Sequence, residues 1–102
     1  MKSFVVTILP RAFNDIQDAV YYYESLNDGL GEKFFDEVDA YMQILGKHPF
    51  YQVRYDDVRC LPLKKFPYMI HFRVDEIQKV VYVEAVVNCY QNPGTSWLVN
   101  EP

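Results

Sequence analysis

The side chains of this chain best suited to hold a phosphate or a charged partner are Arg54, Arg59, Lys64, Lys65 and Arg73, which fall within one short stretch. Tyr55, Tyr68, Tyr82 and Tyr90 are interleaved with them or follow close behind. Guanidinium and ammonium groups neutralise phosphate oxygens, and aromatic faces accept stacked bases, so the set has the make-up of a target-contacting surface. His71 stands two residues before Arg73, and an imidazole titrates near neutrality, which makes it a candidate general acid or base. The bland alternative for each cation is a solvated charge on a strand edge or turn, and for His71 a polar residue on a half-exposed strand. No H-E-x-x-H, G-x-S-x-G or Gly-rich phosphate loop occurs, and Cys60 and Cys89 have no histidine near them at metal-ligand spacing. No metal and no cofactor is expected.

These residues need a scaffold, and the stretch from Leu61 to Val74 supplies its centre. It reads as the end of one strand, a basic turn and a second strand. In that second strand Tyr68, Ile70, Phe72 and Val74 alternate with Met69, His71 and Arg73. Pro67 has no amide hydrogen for a ladder, so it belongs to the turn or the strand's first residue, and Lys64 and Lys65 are displayed at the tip. Phe4, Val6 and Ile8 mark an earlier strand. After Pro10 the apolar residues Phe13, Ile16, Val20 and Tyr23 recur at helical spacing, which predicts a helix over about 10–26. Asn27 to Gly31 forms a left-handed stop. A second helix follows with Phe34, Phe35, Val38, Tyr41, Met42 and Leu45 along one stripe, closed by Gly46 to Pro49. So short a link makes the two helices an antiparallel hairpin.

Residues 49–57 show no period and read as a loop. Val58 to Leu63 is a strand in which Pro62 signals an edge or a bulge, and Lys79 to Val87 is rich enough in β-branched residues for a central strand. Asn92-Pro93-Gly94 is a turn, and Trp97 is expected to pack back on the body. The order β-α-α-β-β-β predicts an α+β domain, with the helical hairpin on one face of a largely antiparallel four-stranded sheet. The other face is left open, carrying Met69, His71 and Arg73 with Tyr82 and Glu84 as neighbours.

Composition bounds the answer further. A chain of 102 residues with nine Tyr and seven Phe can form one domain over 1–102 with a real core. No apolar run is long enough to span a bilayer and no signal-peptide core is present, so a cytoplasmic protein with reduced cysteines is expected. The net charge of −4 is unevenly spread. Residues 10–48 set Arg11, Lys33 and Lys47 against eight carboxylates, a net of −5, whereas residues 52–74 set five cations against Asp56 and Asp57, a net of +3. Such asymmetry places a functional face on the basic half, or else reflects helix faces that are merely acidic.

The chain resembles the RelE/ParE superfamily of type II toxins. The resemblance is carried by Ala12-x-x-Asp15-Ile16, the Tyr21-Tyr22-Tyr23 run, Gly29-Leu30-Gly31-x-x-Phe34 and Val58-Arg59 leading to Leu63-Lys64-Lys65-Phe66-Pro67-Tyr68. Phe72-Arg73-Val74-Asp75 and Asn92-Pro93 complete it. It implies a small cytoplasmic toxin neutralised by a cognate antitoxin, acting either on messenger RNA in the ribosome or on DNA gyrase. The RNA-cleaving type has an arginine directly after the tyrosine that opens the second hairpin strand, where this chain has Met69. It also has a basic residue at the end of the last strand, where Asn88-Cys89 stands here. The resemblance therefore points to a ParE-like toxin that binds a protein target such as gyrase. A ribosome-dependent endonuclease using Lys64, Lys65, Arg73 and Tyr90 is the alternative, and a non-toxic antitoxin-binding module the third. The target- or nucleic-acid-binding set is then Arg54, Arg59, Lys64, Lys65, His71 and Arg73. A homodimer is left open.

Overall fold

The computed structural model describes residues 3–89. Strand β1 (Val5–Ile8) leads through Leu9 into α1 (Pro10–Leu26), and α2 (Leu30–Lys47) returns. Four strands follow: β2 (Val53–Tyr55), β3 (Val58–Pro62), β4 (Tyr68–Asp75) and β5 (Val80–Asn88). Pro10 opens α1 at a position where its missing N–H costs nothing, and Leu9 supplies the extended entry without a side-chain cap. The left-handed residue of the interhelical turn is Gly29, with φ 86°, which serves the start of α2; α1 itself ends on an extended Asn27.

The helical hairpin is locked by two devices. Glu24 of α1 accepts hydrogen bonds from the N–H groups of Gly29 (3.0 Å) and Gly31 (3.0 Å), which fills acceptor positions that the first turn of α2 would otherwise lack. Gly31 then lets the backbones close up. A Cβ there would stand 2.6 Å from the Val20 carbonyl oxygen.

The sheet has five strands in the order β1-β5-β4-β3-β2, one more than the four-stranded expectation, and β1 runs parallel to β5 while every other pair is antiparallel. The extra strand is β2, lying in residues expected to form a loop. It is joined to β3 by Asp56 and Asp57, both at positive φ, which is the two-residue hairpin turn whose backbone matches strand twist. Aspartate tolerates that conformation, although the Asn-Gly or Asp-Gly signature is absent. Pro62 sits at a locally open edge of the sheet, one of the two expected settings, and not at a bulge. It is the last residue of β3, beyond the positions that β2 pairs with, so no second strand asks for its N–H.

Both helices cover one face of the sheet. The core there is built from Ala12, Ile16 and Ala19 of α1, Phe34, Val38, Met42 and Leu45 of α2, and Leu61, Ile70, Phe72, Val81, Val83 and Val86 of the sheet. Two expected core residues lie outside: Phe13 and Phe35 are about half exposed. The small side chains of Ala12 and Ala19 turn toward the sheet instead, which lets α1 sit close to it. Among the described residues no helix is long and apolar enough to cross a membrane.

Candidate functional site

The face of the sheet away from the helices is where the sequence places His71 and Arg73. Along β4 the alternation is as expected, with Ile70 and Phe72 in the helix-side core and Met69, His71 and Arg73 on the other face. A bulge falls between His71 and Phe72. His71 faces Ala85 and Phe72 faces Val83, so Glu84 is the extra residue on β5. The bulge brings Glu84 to Arg73, whose Nε donates to Glu84 Oε2 at 2.6 Å while a terminal nitrogen donates to the Asp56 carbonyl at 3.1 Å. Arg73 is thus neutralised and holds the β2–β3 turn.

His71 departs from expectation. Instead of lying on an open, half-exposed face it is 2% exposed, with the buried Cys60 and Ala85 opposite it on the two neighbouring strands. Its Nδ1 lies 3.3 Å from Tyr55 Oη and 3.3 Å from Cys60 Sγ. A phenol and a thiol can each donate to or accept from an imidazole nitrogen, so a neutral ring satisfies these contacts without a charge. Burial, with help from the cations Arg11 and Arg54, pushes its pKa down to about 4. Burial likewise pushes the Cys60 thiol up. A neutral, weakly basic imidazole beside a protonated thiol is a packing element at neutral pH, and neither a ready acid nor a nucleophile.

The remaining predicted residues are dispersed. Arg54 is exposed and close enough to His71 to act on it electrostatically. Arg59 pairs with Phe72 and so sits on the helix side, where one terminal nitrogen donates to the Tyr51 carbonyl at 2.7 Å. Lys64 and Lys65 occupy the β3–β4 turn as expected, both exposed, and their backbone N–H groups donate to Glu37 Oε2 of α2 at 2.7 and 3.0 Å. Tyr90, Trp97 and the Asn92-Pro93-Gly94 turn lie outside the described residues. The structure therefore groups Arg54, His71 and Arg73 on one face and separates Arg59, Lys64 and Lys65 from them. Cys60 is buried and Cys89 is exposed; both are free thiols.

Two contributors escaped the sequence reading. Glu37 clamps the basic turn, and nothing in its helical neighbourhood signals a partner 27 residues away. Glu37→Ala is expected to cost about 1–2 kcal/mol and to speed amide exchange at Lys64 and Lys65 selectively, measured by hydrogen exchange. Asp15 accepts from the Val86 N–H at 3.0 Å, capping the part of β5 that β1 is too short to reach, and its pKa is raised chiefly by burial. It lines a cleft of about 630 Å³ with Arg11, Tyr22, Tyr68 and Asn88 among its walls.

No protein-family model matches the sequence, and no curated protein matches it. Solved structures do. The chromosomal ParDE toxin-antitoxin system from P. aeruginosa superposes with a TM-score of 0.67 at 20% identity, over 83% of this chain and 95% of that one. The RelBE2 toxin-antitoxin complex from Mycobacterium tuberculosis gives 0.61 at 14% identity, over 86% and 93%. A mutant of the E. coli toxin RelE in the free state gives 0.59 at 14%, over 97% of each chain. The chain has the RelE/ParE toxin fold.

Proposed function

We propose that this chain is the toxin of a type II toxin-antitoxin pair, acting by binding a protein target of the DNA gyrase kind and silenced by a cognate antitoxin. The observation that carries this reading is the dispersal and neutralisation of its cations. Cleaving RNA without a metal needs several positive groups and an acid–base group around one phosphate. Here Arg73 is committed to Glu84, Arg59 is turned to the helix side, Lys64 and Lys65 sit on a turn held by Glu37, and His71 is buried and neutral. Met69 follows Tyr68 where an RNA-cleaving site would use a cation. A binding surface has no such requirement. The likeness to the ParDE structure supports the same direction, and that both the ParDE and RelBE2 structures are of toxin-antitoxin assemblies supports a protein partner.

The test is tightly controlled induction of the chain alone and together with its neighbouring small open reading frame. Loss of colony formation that the neighbour rescues, inhibition of supercoiling by purified gyrase, and RNA ends unchanged from the uninduced culture are the expected results. New RNA ends at defined codon positions would replace this reading with the ribosome-dependent endonuclease. Normal growth together with unaffected supercoiling would leave a non-toxic antitoxin-binding module.

A further inference from the structure

At the end of the sheet where β1, β3 and β5 begin, four side chains from separate parts of the chain form a continuous ladder on the helix side. Lys79 Nζ lies 5.5 Å from the centroid of the Phe4 ring. Phe4 meets Phe50 edge to face, with ring centroids 5.6 Å apart. The Arg59 guanidinium carbon lies 5.4 Å from the Phe50 centroid. Phe50 is nevertheless 57% exposed, and Lys47 and His48 precede it at the end of α2. Two aromatic rings flanked by a cation at either end thus line one patch, with Phe50 presenting much of its surface to solvent.

Three features set this patch apart from ordinary surface packing. Phe50 is about as exposed as Phe13 and Phe35, and it stands out by carrying the Arg59 guanidinium over its ring beside the buried Pro49 and the half-buried Tyr51. Among the described residues, Lys47, Arg59 and Lys79 make no ion pair, whereas Arg11 and Arg73 are paired with Asp15 and Glu84. The carboxylates at this end, Asp56, Asp57, Asp75 and Glu76, belong to two hairpin turns, and Asp75 is occupied by the Ile77 and Gln78 N–H groups. Finally, Arg59 Nε is buried and one terminal nitrogen is held by the Tyr51 carbonyl, which fixes the guanidinium beside the exposed ring and leaves its other terminal nitrogen to meet a phosphate.

We propose that this ladder is a docking patch for single-stranded nucleic acid, with an unpaired base stacking on the free surface of Phe50 and the flanking phosphates held by Arg59 and Lys79. Alternating cations and open aromatic rings suit a strand that alternates phosphate and base, since stacking tolerates any base and the charges follow the backbone. An acidic peptide would use the cations but leave the ring unused. The patch lies at the opposite end of the sheet from Lys64 and Lys65, and it does not depend on how the chain acts in the cell.

The experiment is fluorescence anisotropy of the full chain with labelled oligouridylate and oligothymidylate at low and moderate salt. The expected result is binding to both strands that weakens with salt, is reduced about fivefold or more by Phe50→Ala and severalfold by Lys79→Ala, and is unchanged by Lys33→Ala on the remote start of α2. Phe50→Leu keeps an apolar side chain of similar bulk and removes the ring, so weakened binding at an unchanged melting temperature separates stacking from folding. No binding at low salt, equal effects of the Lys33 and Lys79 substitutions, or full affinity in Phe50→Leu would overturn the proposal. So would displacement by polyglutamate as effective as by unlabelled oligonucleotide, which would assign the patch to an acidic protein.

Discussion

Phe34→Ala is expected to lower the free energy of unfolding by about 4 kcal/mol, a large share of the 5–15 kcal/mol typical of a domain. Phe34 is fully buried and is the hub of an aromatic cluster that joins every layer of the fold. Its ring stacks on Tyr23 of α1 at 5.5 Å and meets Phe66 of the basic turn at 5.1 Å and Tyr68 of β4 at 5.0 Å. Tyr23 and Phe66 also touch each other, at 4.9 Å, so removing Phe34 leaves a cavity whose walls are already committed to one another and collapse poorly. The turn bearing Lys64 and Lys65 would lose its apolar anchor while keeping its polar one, Glu37. Phe35→Ala, one residue on, removes the same side chain from a half-exposed position and should stay within about 0.5 kcal/mol. Urea unfolding of the two variants checks this. Equal costs would mean that α2 does not bury the face assigned to it.

That pair of neighbours also shows where the sequence was readable. The periodicity of α2 fixes Phe34, Val38, Met42 and Leu45 as one stripe, but Phe35 lies at its margin, and only the position of α1 across Gly31 decides which edge of the stripe is covered. The two helices, their antiparallel pairing, the strands from β3 to β5 and the facing of β4 all follow from period and turn chemistry. The direction of β1 does not, because alternation within a strand carries no information about its neighbour's direction. Strand β2 is three residues long and its turn is made by two aspartates, so neither length nor a glycine announces it.

The candidate site was legible as a set of residue types and illegible as a place. Arg59 and Arg73 look equivalent in the sequence. Pairing with Phe72 turns the first toward the helices, and the bulge at Glu84 neutralises the second. Both effects arise between strands, where a one-residue change in register sends a side chain to the other face. His71 shows the same limit: its position on the strand was read correctly, while its burial depends on Tyr55 and Cys60 from two other strands.

The pH dependence of stability tests that burial directly. An unfolded histidine titrates near 6.5, and His71 in the folded chain titrates at about 4 because burial, Arg11 and Arg54 all oppose its charge. Between those values the unfolded chain binds the proton and the folded chain does not, so stability rises with pH through that window. The contribution is complete above about pH 6.5 and is lost as pH falls toward 4, by about 3 kcal/mol. Asp15 works in the opposite sense, since its raised pKa favours the folded state as its carboxyl becomes protonated. His71→Gln keeps that term and removes the imidazole. The wild type should therefore lose about 3 kcal/mol more than the variant between pH 7 and pH 4, by urea unfolding at each pH. An NMR titration of the ring supplies the independent reading. A midpoint near 6.5 would restore to the face a group able to carry a proton at neutral pH, and with it the acid–base partner that the nuclease reading lacks. A midpoint near 4 leaves Arg54 as the exposed charge beside a neutral, packed centre, which is a surface for recognition and not for proton transfer.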